Sequence, residues 1–183
     1  MNRDRAFDIL REYTGKESLL KHALAVEAAM RAYARKFDAD IEEWGICGLL
    51  HDFDYERWPA NHPQAGEKIL EEQGVAEPIR RAIQGHSDHT GVARDTLMAK
   101  ALYAVDELTG FLVAVTLVRP DQSLSQVKLK SVRKKMKDRK FAAAVNRVEM
   151  QQGAEQLGVD FADHVTLVLE AMSGIAASLG LNS

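Results

Sequence analysis

Nearly every segment of this 183-residue chain carries apolar residues at helical spacing, and no run alternates apolar and polar residues long enough to make a half-buried strand. That constrains the fold more than anything else in the sequence. Arg5–Tyr13 places Ala6, Ile9, Leu10 and Tyr13 on one face, and Ser18–Phe37 continues with Leu20, Leu24, Ala28 and Tyr33, with Ser18 as the expected N-cap. Further helices are predicted at Ile41–Leu50, Pro63–Gln73, Glu77–Gly85, Asp95–Val118, Leu129–Arg139 and Asp160–Leu179, with Gly74, Gly91 and Pro120 as punctuation. Phe111–Val118 is rich in β-branched residues but extends the pattern from Leu97 without a turn signal, so it reads as buried helix. The expectation is an all-α, compact single domain over residues 1–183. A chain of this size buries about two-thirds of the surface its unfolded form exposes, enough to accommodate some polar groups inside.

Charge and cysteine usage narrow the function classes. The net charge of −3 excludes a wholly basic nucleic-acid binder, but it conceals a +7 segment at 119–149 and a −10 remainder. The densest stretch, KLKSVRKKMKDRK at 128–140, reads first as a solvated helix face, with nucleic-acid binding ranked below that. The longest uncharged runs, Leu108–Val118 and Ala171–Ser183, have 11 and 13 residues, short of the ~20 that span a bilayer. A single cysteine, Cys47, excludes an intrachain disulfide, and the N-terminal stretch lacks a signal peptide's apolar run, so the expected location is cytoplasmic.

Against this background the polar residues inside apolar helices stand out. His22 has Ser18, Leu19, Ala25 and Val26 as its helical neighbours, none able to neutralise a buried charge. His51 and Asp52 follow seven uncharged residues, and Asp106 has Leu102, Tyr103, Thr109 and Gly110 around it. An ionised carboxylate buried there without a partner costs several kcal/mol or takes up a proton, so a positive group must meet it. A divalent cation explains all four together, because imidazole nitrogens and carboxylate oxygens suit iron, manganese, zinc, magnesium or nickel. Adjacent ligands at His51 and Asp52 point about 100° apart on a helix, so both reach one ion only where the helix ends.

The order His22 … His51-Asp52 … Asp106, in the contexts KHALAVE, GLLHDFDYE and ALYAVDELTG, resembles the HD-domain superfamily of metal-dependent phosphohydrolases, an all-α fold. The resemblance covers about residues 5–118 for the ligand-bearing core. Beyond it the basic segment and closing helices, 119–183, contain VRPDQSL and VKLKSV, which look like a bacterial branch of predicted HD-superfamily hydrolases. The resemblance implies that His22, His51, Asp52 and Asp106 hold one ion. It further implies that His62, in NHPQAGEKIL, and His86, in AIQGHSDHTG, complete a second site with Asp52 bridging, as in binuclear members such as diadenosine tetraphosphate hydrolases. One or two ions remain alternatives, His89 competes with His86, and His164 has no assigned role.

The implied reaction is hydrolysis of a small phosphoester, a nucleotide or related phosphate, by metal-activated hydroxide attack, with Asp52 and His51 as catalytic residues. Many members carry Ile-Gly-Lys after the doublet, whereas this chain has Phe-Asp-Tyr-Glu, with two acids and no phosphate-contacting lysine there; Asp54, Glu56 and His89 lie near the ligands in the chain, but the sequence does not identify a general acid. Lys128, Lys130, Arg133 and Lys134 are the expected substitutes for that lysine. Two alternatives stand beside hydrolysis: a diiron oxygenase, since myo-inositol oxygenase and a phosphonate-cleaving oxygenase resemble the HD fold, and a non-catalytic metal- or nucleotide-binding domain.

Overall fold

The computed structural model describes residues 1–182; only Ser183, the last residue of the C-terminal uncharged run, lies outside it. Ten α-helices form its framework, and among the described residues the only β-type pairing is an isolated bridge between Ser123 and Asn182.

The first three helices build the floor of the molecule. α1 (Arg3–Tyr13) starts at Asn2, whose side chain accepts the Arg5 N–H, and buries Ala6, Ile9 and Leu10. α2 (Glu17–Lys36) has its N-cap at Lys16, two residues ahead of the expected cap: Ser18 lies within the helix, and no side chain caps its first turn. Instead Glu56, from a distant turn, accepts the N–H groups of Gly15 and Lys16 just ahead of the helix. α3 (Ile41–Leu50) is capped by Asp40, which accepts from Glu42 and Glu43, and is buried from Trp44 to Leu50. It lies close on α2 because position 48 has no side chain. A Cβ on Gly48 would sit 2.9 Å from both the Val26 carbonyl oxygen and the Met30 side chain.

The predicted helix at 63–73 is a 3-10 turn (Gln64–Gly66) followed by the short α4 (Glu67–Glu72), and α5 (Glu77–Gly85) then ends at His86. After a second 3-10 turn (Asp88–Thr90), the 21-residue α6 (Leu97–Leu117) runs through the core beneath a Thr96 cap, which confirms Phe111–Leu117 as helix.

The C-terminal third corrects two expectations. The helix predicted at 160–179 is two: α9 (Phe161–Ser173) and α10 (Ala176–Leu179), separated at Gly174. Between the basic α7 (Leu129–Lys137) and α9 lies α8 (Arg147–Leu157), which the sequence reading missed. It buries Met150, Gly153, Ala154 and Leu157, a helical stripe that a glycine conceals. A Cβ on Gly153 would fall 2.6 Å from the Ala104 Cα, so the glycine is what lets α8 pack on α6. His164 of α9 closes the back of the bundle. Its Nε2–H donates to the Ala104 carbonyl at 2.9 Å and its Nδ1 accepts from the Tyr33 hydroxyl at 2.5 Å, joining α9 to α6 and α2.

Candidate metal centre

The six histidines and aspartates singled out from the sequence come from five places in the fold and meet at one end of the bundle. His22 lies on α2 and Asp106 on α6, while His51, the C-cap of α3, and His86, the C-cap of α5, sit where their helices end. His51 is followed by turns rather than helix, which frees Asp52 to turn toward the same point. His62 sits in the irregular segment before the 3-10 turn, held near Asp54.

Two overlapping groups result. The donor atoms of His22, His51 and Asp52 lie within 4.8 Å of one another, and so do those of Asp52, His62 and His86. Asp106 adjoins the first group, its Oδ1 being 3.0 Å from His22 Nε2 and 3.5 Å from His51 Nε2. Asp52 is common to both: its Oδ1 is 3.0 Å from His62 Nε2 and 3.5 Å from the Nε2 atoms of His51 and His86, and its Oδ2 is 3.8 Å from His22 Nε2. His86, not His89, joins the cluster. His89 is exposed and pairs with the Ser87 hydroxyl.

The hydrogen bonds on the far sides of the rings decide what the near sides can do. His51 Nδ1–H donates to the Gly48 carbonyl at 2.8 Å, His86 Nδ1–H to the Ile83 carbonyl at 2.5 Å, and His62 Nδ1–H to Asp54 Oδ1 at 2.6 Å. In the neutral ring the other nitrogen then carries a lone pair, and these lone pairs converge. His62 and His86 bring their Nε2 atoms to 3.1 Å, and His22 and His51 theirs to 3.3 Å. Two bare imidazole nitrogens at such distances repel unless a proton or a cation lies between them. The donor set therefore fits divalent metal ions: imidazole nitrogens facing inward, carboxylates among them, and each of these three rings oriented by an acceptor behind it.

Electrostatics agree. Burial opposes the charge of Asp52, but His51, His62, His86 and His22 outweigh it and hold the carboxyl well below the usual carboxylate range. Burial likewise opposes the charge of Asp106, and hydrogen bonding from His22 and His51 overcomes it. In turn burial disfavours a charged His62, yet Asp52 and Asp54 push it up to about 9. A field that draws protons onto buried imidazoles is equally attractive to a metal ion.

The cluster forms the floor of a cavity of about 350 Å³, with Tyr55, Ser87, Asp88, Glu107, Gly110 and Glu149 among its walls. Side chains of Asp52 and Asp106 remain 19% and 22% exposed, so a ligand can reach them, whereas His51 is fully buried. Tyr55 stands edge-on to His62 with ring centres 5.4 Å apart. Burial, then the Asp106 charge, push the Glu107 carboxyl up to about 6 while the Asn146 N–H holds one of its oxygens. Sequence reasoning gave none of these wall residues a role in the site. Glu107 and Glu149 look like solvated helical acids until α6 and α8 are packed together.

None of Lys128, Lys130, Arg133 and Lys134, the expected substrate contacts, lines this cavity. α7 buries Val132 against the core, and Arg133 lines a separate cavity of about 1220 Å³ shared with α8. That larger cavity holds none of the clustered histidines or aspartates, so the smaller one is the candidate site. Asp54 and Glu56 do not line the metal cavity either; each is committed elsewhere, Asp54 to His62 and Glu56 to the backbone ahead of α2.

No helix among the described residues is long and apolar enough to cross a membrane. No solved structure matches the chain. Residues 19–110 match the family model of the HD domain, a segment that begins just before His22, ends just after Asp106 and spans half of the sequence. The chain therefore belongs to the HD-domain family, within the metal-dependent phosphohydrolase superfamily, whose domains bind divalent metal ions.

Proposed function

We propose that this protein hydrolyses a small phosphoester, a nucleotide or related phosphate, using two divalent ions. His22, His51, Asp52 and Asp106 hold one ion, and Asp52, His62 and His86 hold the other. The observation that carries this reading is the convergence of four imidazole Nε2 atoms and two carboxylates on the floor of an accessible cavity. The volume, about 350 Å³, is at the small end of ligand sites and suits a compact substrate rather than a nucleic-acid strand.

Bound divalent ions would supply a nucleophilic water at neutral pH and the positive charge that a phosphoryl oxygen needs. The chain's own residues supply position. Asp52, shared between the two groups, fixes their spacing and orients what lies between them, and His51 is locked by full burial and the Gly48 carbonyl. Asp88, Glu107 and Glu149 on the wall repel a free anion, and no lysine or arginine lines the cavity, so phosphate binding depends on the metal.

The test is metal analysis of the purified protein followed by a phosphoester panel with Mn, Fe, Mg, Ni and Zn. The expected result is bound metal and phosphate release that a chelator abolishes. Asp52→Ala should remove both while the helical circular dichroism stays near that of the wild type. Oxygen uptake dependent on ferrous ion and substrate, without phosphate release, would establish the oxygenase alternative instead, and no turnover with any metal would favour a binding domain.

A further inference from the structure

His51 and His86 share a device that His62 lacks. Each caps the end of a helix, where the last carbonyls have no intrahelical partner, and each donates its Nδ1–H to the carbonyl three residues back, Gly48 or Ile83. No helix ends at His62, so no such carbonyl is on offer. Asp54 takes its place, with Oδ1 2.6 Å from His62 Nδ1.

This substitution is costly in a way that stability does not explain. Asp54 has 0% exposure, and its second carboxylate oxygen has no hydrogen-bond partner. The space around it is tight: Gly66 packs against it, and a Cβ at that position would lie 3.0 Å from Asp54 Oδ2 and 2.5 Å from the Phe53 ring. A buried carboxylate with one orphaned oxygen is held in a fitted pocket and aimed at the outer nitrogen of one imidazole. The inner nitrogen of that imidazole is 3.0 Å from Asp52 and 3.1 Å from His86. A charged acceptor behind a ligating histidine fixes its tautomer and raises the basicity of the nitrogen facing the metal.

We propose that Asp54 is the positioning residue for the second cation: it holds His62 with Nε2 bare and facing Asp52 and His86, so that occupancy of this subsite depends on Asp54 and occupancy of the His22–His51–Asp52–Asp106 subsite does not. The inference rests on the two-subsite reading of the centre. It also gives the unusual Phe-Asp-Tyr-Glu after the His-Asp doublet a division of labour. The first acid serves the centre through His62, and the second, Glu56, ties the turn to the start of α2.

The experiment is a manganese titration of the metal-free full chain and of Asp54→Asn and Asp54→Leu, read by metal content after dialysis and by electron paramagnetic resonance, which distinguishes a spin-coupled Mn pair from a single ion. The wild type is expected to bind two ions with a coupled signal. D54N, which keeps an acceptor for the Nδ1–H but removes the charge, should weaken the second ion about 10- to 100-fold while leaving the first within about twofold. D54L should bind one ion with an uncoupled spectrum. If D54L does not fold, D54N alone decides. A D54N chain that binds both ions with wild-type affinity, or loses affinity for both equally, overturns the inference, as does a wild type with a single ion. A wild type that binds no ion overturns the metal reading itself.

Discussion

Protonation of His164 gives the sharpest test of how this bundle is held together. The ring is fully buried, and its two nitrogens are already committed, one donating to the Ala104 carbonyl and the other accepting from the Tyr33 hydroxyl. A second ring proton would face a hydroxyl in place of a lone pair and put a charge in the core. Burial accordingly lowers its pKa to about 4 from an ordinary 6.5, with the Ala104 carbonyl pulling weakly the other way. A lowered histidine pKa means that the unfolded chain binds the proton more readily. The stabilisation is thus complete above the unfolded pKa and is lost as pH falls from about 6.5 toward 4. Over that full range the shift is worth about 3 kcal/mol, and between pH 7 and pH 5 about 2 kcal/mol. The perturbation is His164→Gln, which does not titrate and can both donate to Ala104 and accept from Tyr33. Urea unfolding of both chains, followed at 222 nm in the presence of chelator, cancels contributions from the metal centre. The wild type should lose about 2 kcal/mol more than the variant on going from pH 7 to pH 5. Parallel stability curves would refute the claim that His164 is held neutral by its surroundings.

Other substitutions probe separate links. Gly153→Ala should lower stability by about 1–2 kcal/mol, because the clash with Ala104 outweighs the gain in helix propensity; a raised melting temperature would contradict the packing argument. Glu27 is buried between Arg3 and Arg31, at 2.7 and 2.9 Å, so Glu27→Gln should cost about 2 kcal/mol in urea unfolding, and a loss below about 0.5 kcal/mol would show that the pairing contributes little. Charge reversal at Lys128, Lys130, Arg133 and Lys134 should leave KM for a phosphorylated substrate within about twofold, since none lines the metal cavity and distant charges are screened at physiological salt; a tenfold rise would return them to the substrate's path.

The sequence pointed to the cluster because its proposed ligands are chemical misfits. His22, His51, Asp52 and Asp106 each interrupt an apolar helical face, and an interruption of that kind requires a partner. The supporting residues left no such mark. Asp54 and Glu56 stand two and four residues from a ligand and look alike in the chain. Only the turns after α3 send one inward to His62 and the other outward to the backbone ahead of α2. α8 was obscured for a different reason: its buried stripe runs through Gly153, which carries no hydrophobic signal yet lets α8 pack directly on the Ala104 backbone of α6. The basic segment could not be assigned to the cavity from sequence because net charge describes a stretch of chain, whereas electrostatic reach depends on which side of the bundle α7 occupies.

The far side of α6 has a consequence for where this protein can be cut. Asp106 faces the cluster, but two residues earlier Ala104 supports both His164 of α9 and Gly153 of α8, and Tyr33 of α2 meets the same histidine. A fragment ending near residue 110, where the family-model match ends, would carry every proposed ligand yet leave the backs of α2 and α6 bare to water, without Met150, Val165, Val168 and Met172 to cover them. Such a fragment should collapse loosely or aggregate instead of assembling the centre. The family model covers the stretch that carries the proposed ligands, whereas the packing that supports it reaches into α8 and α9.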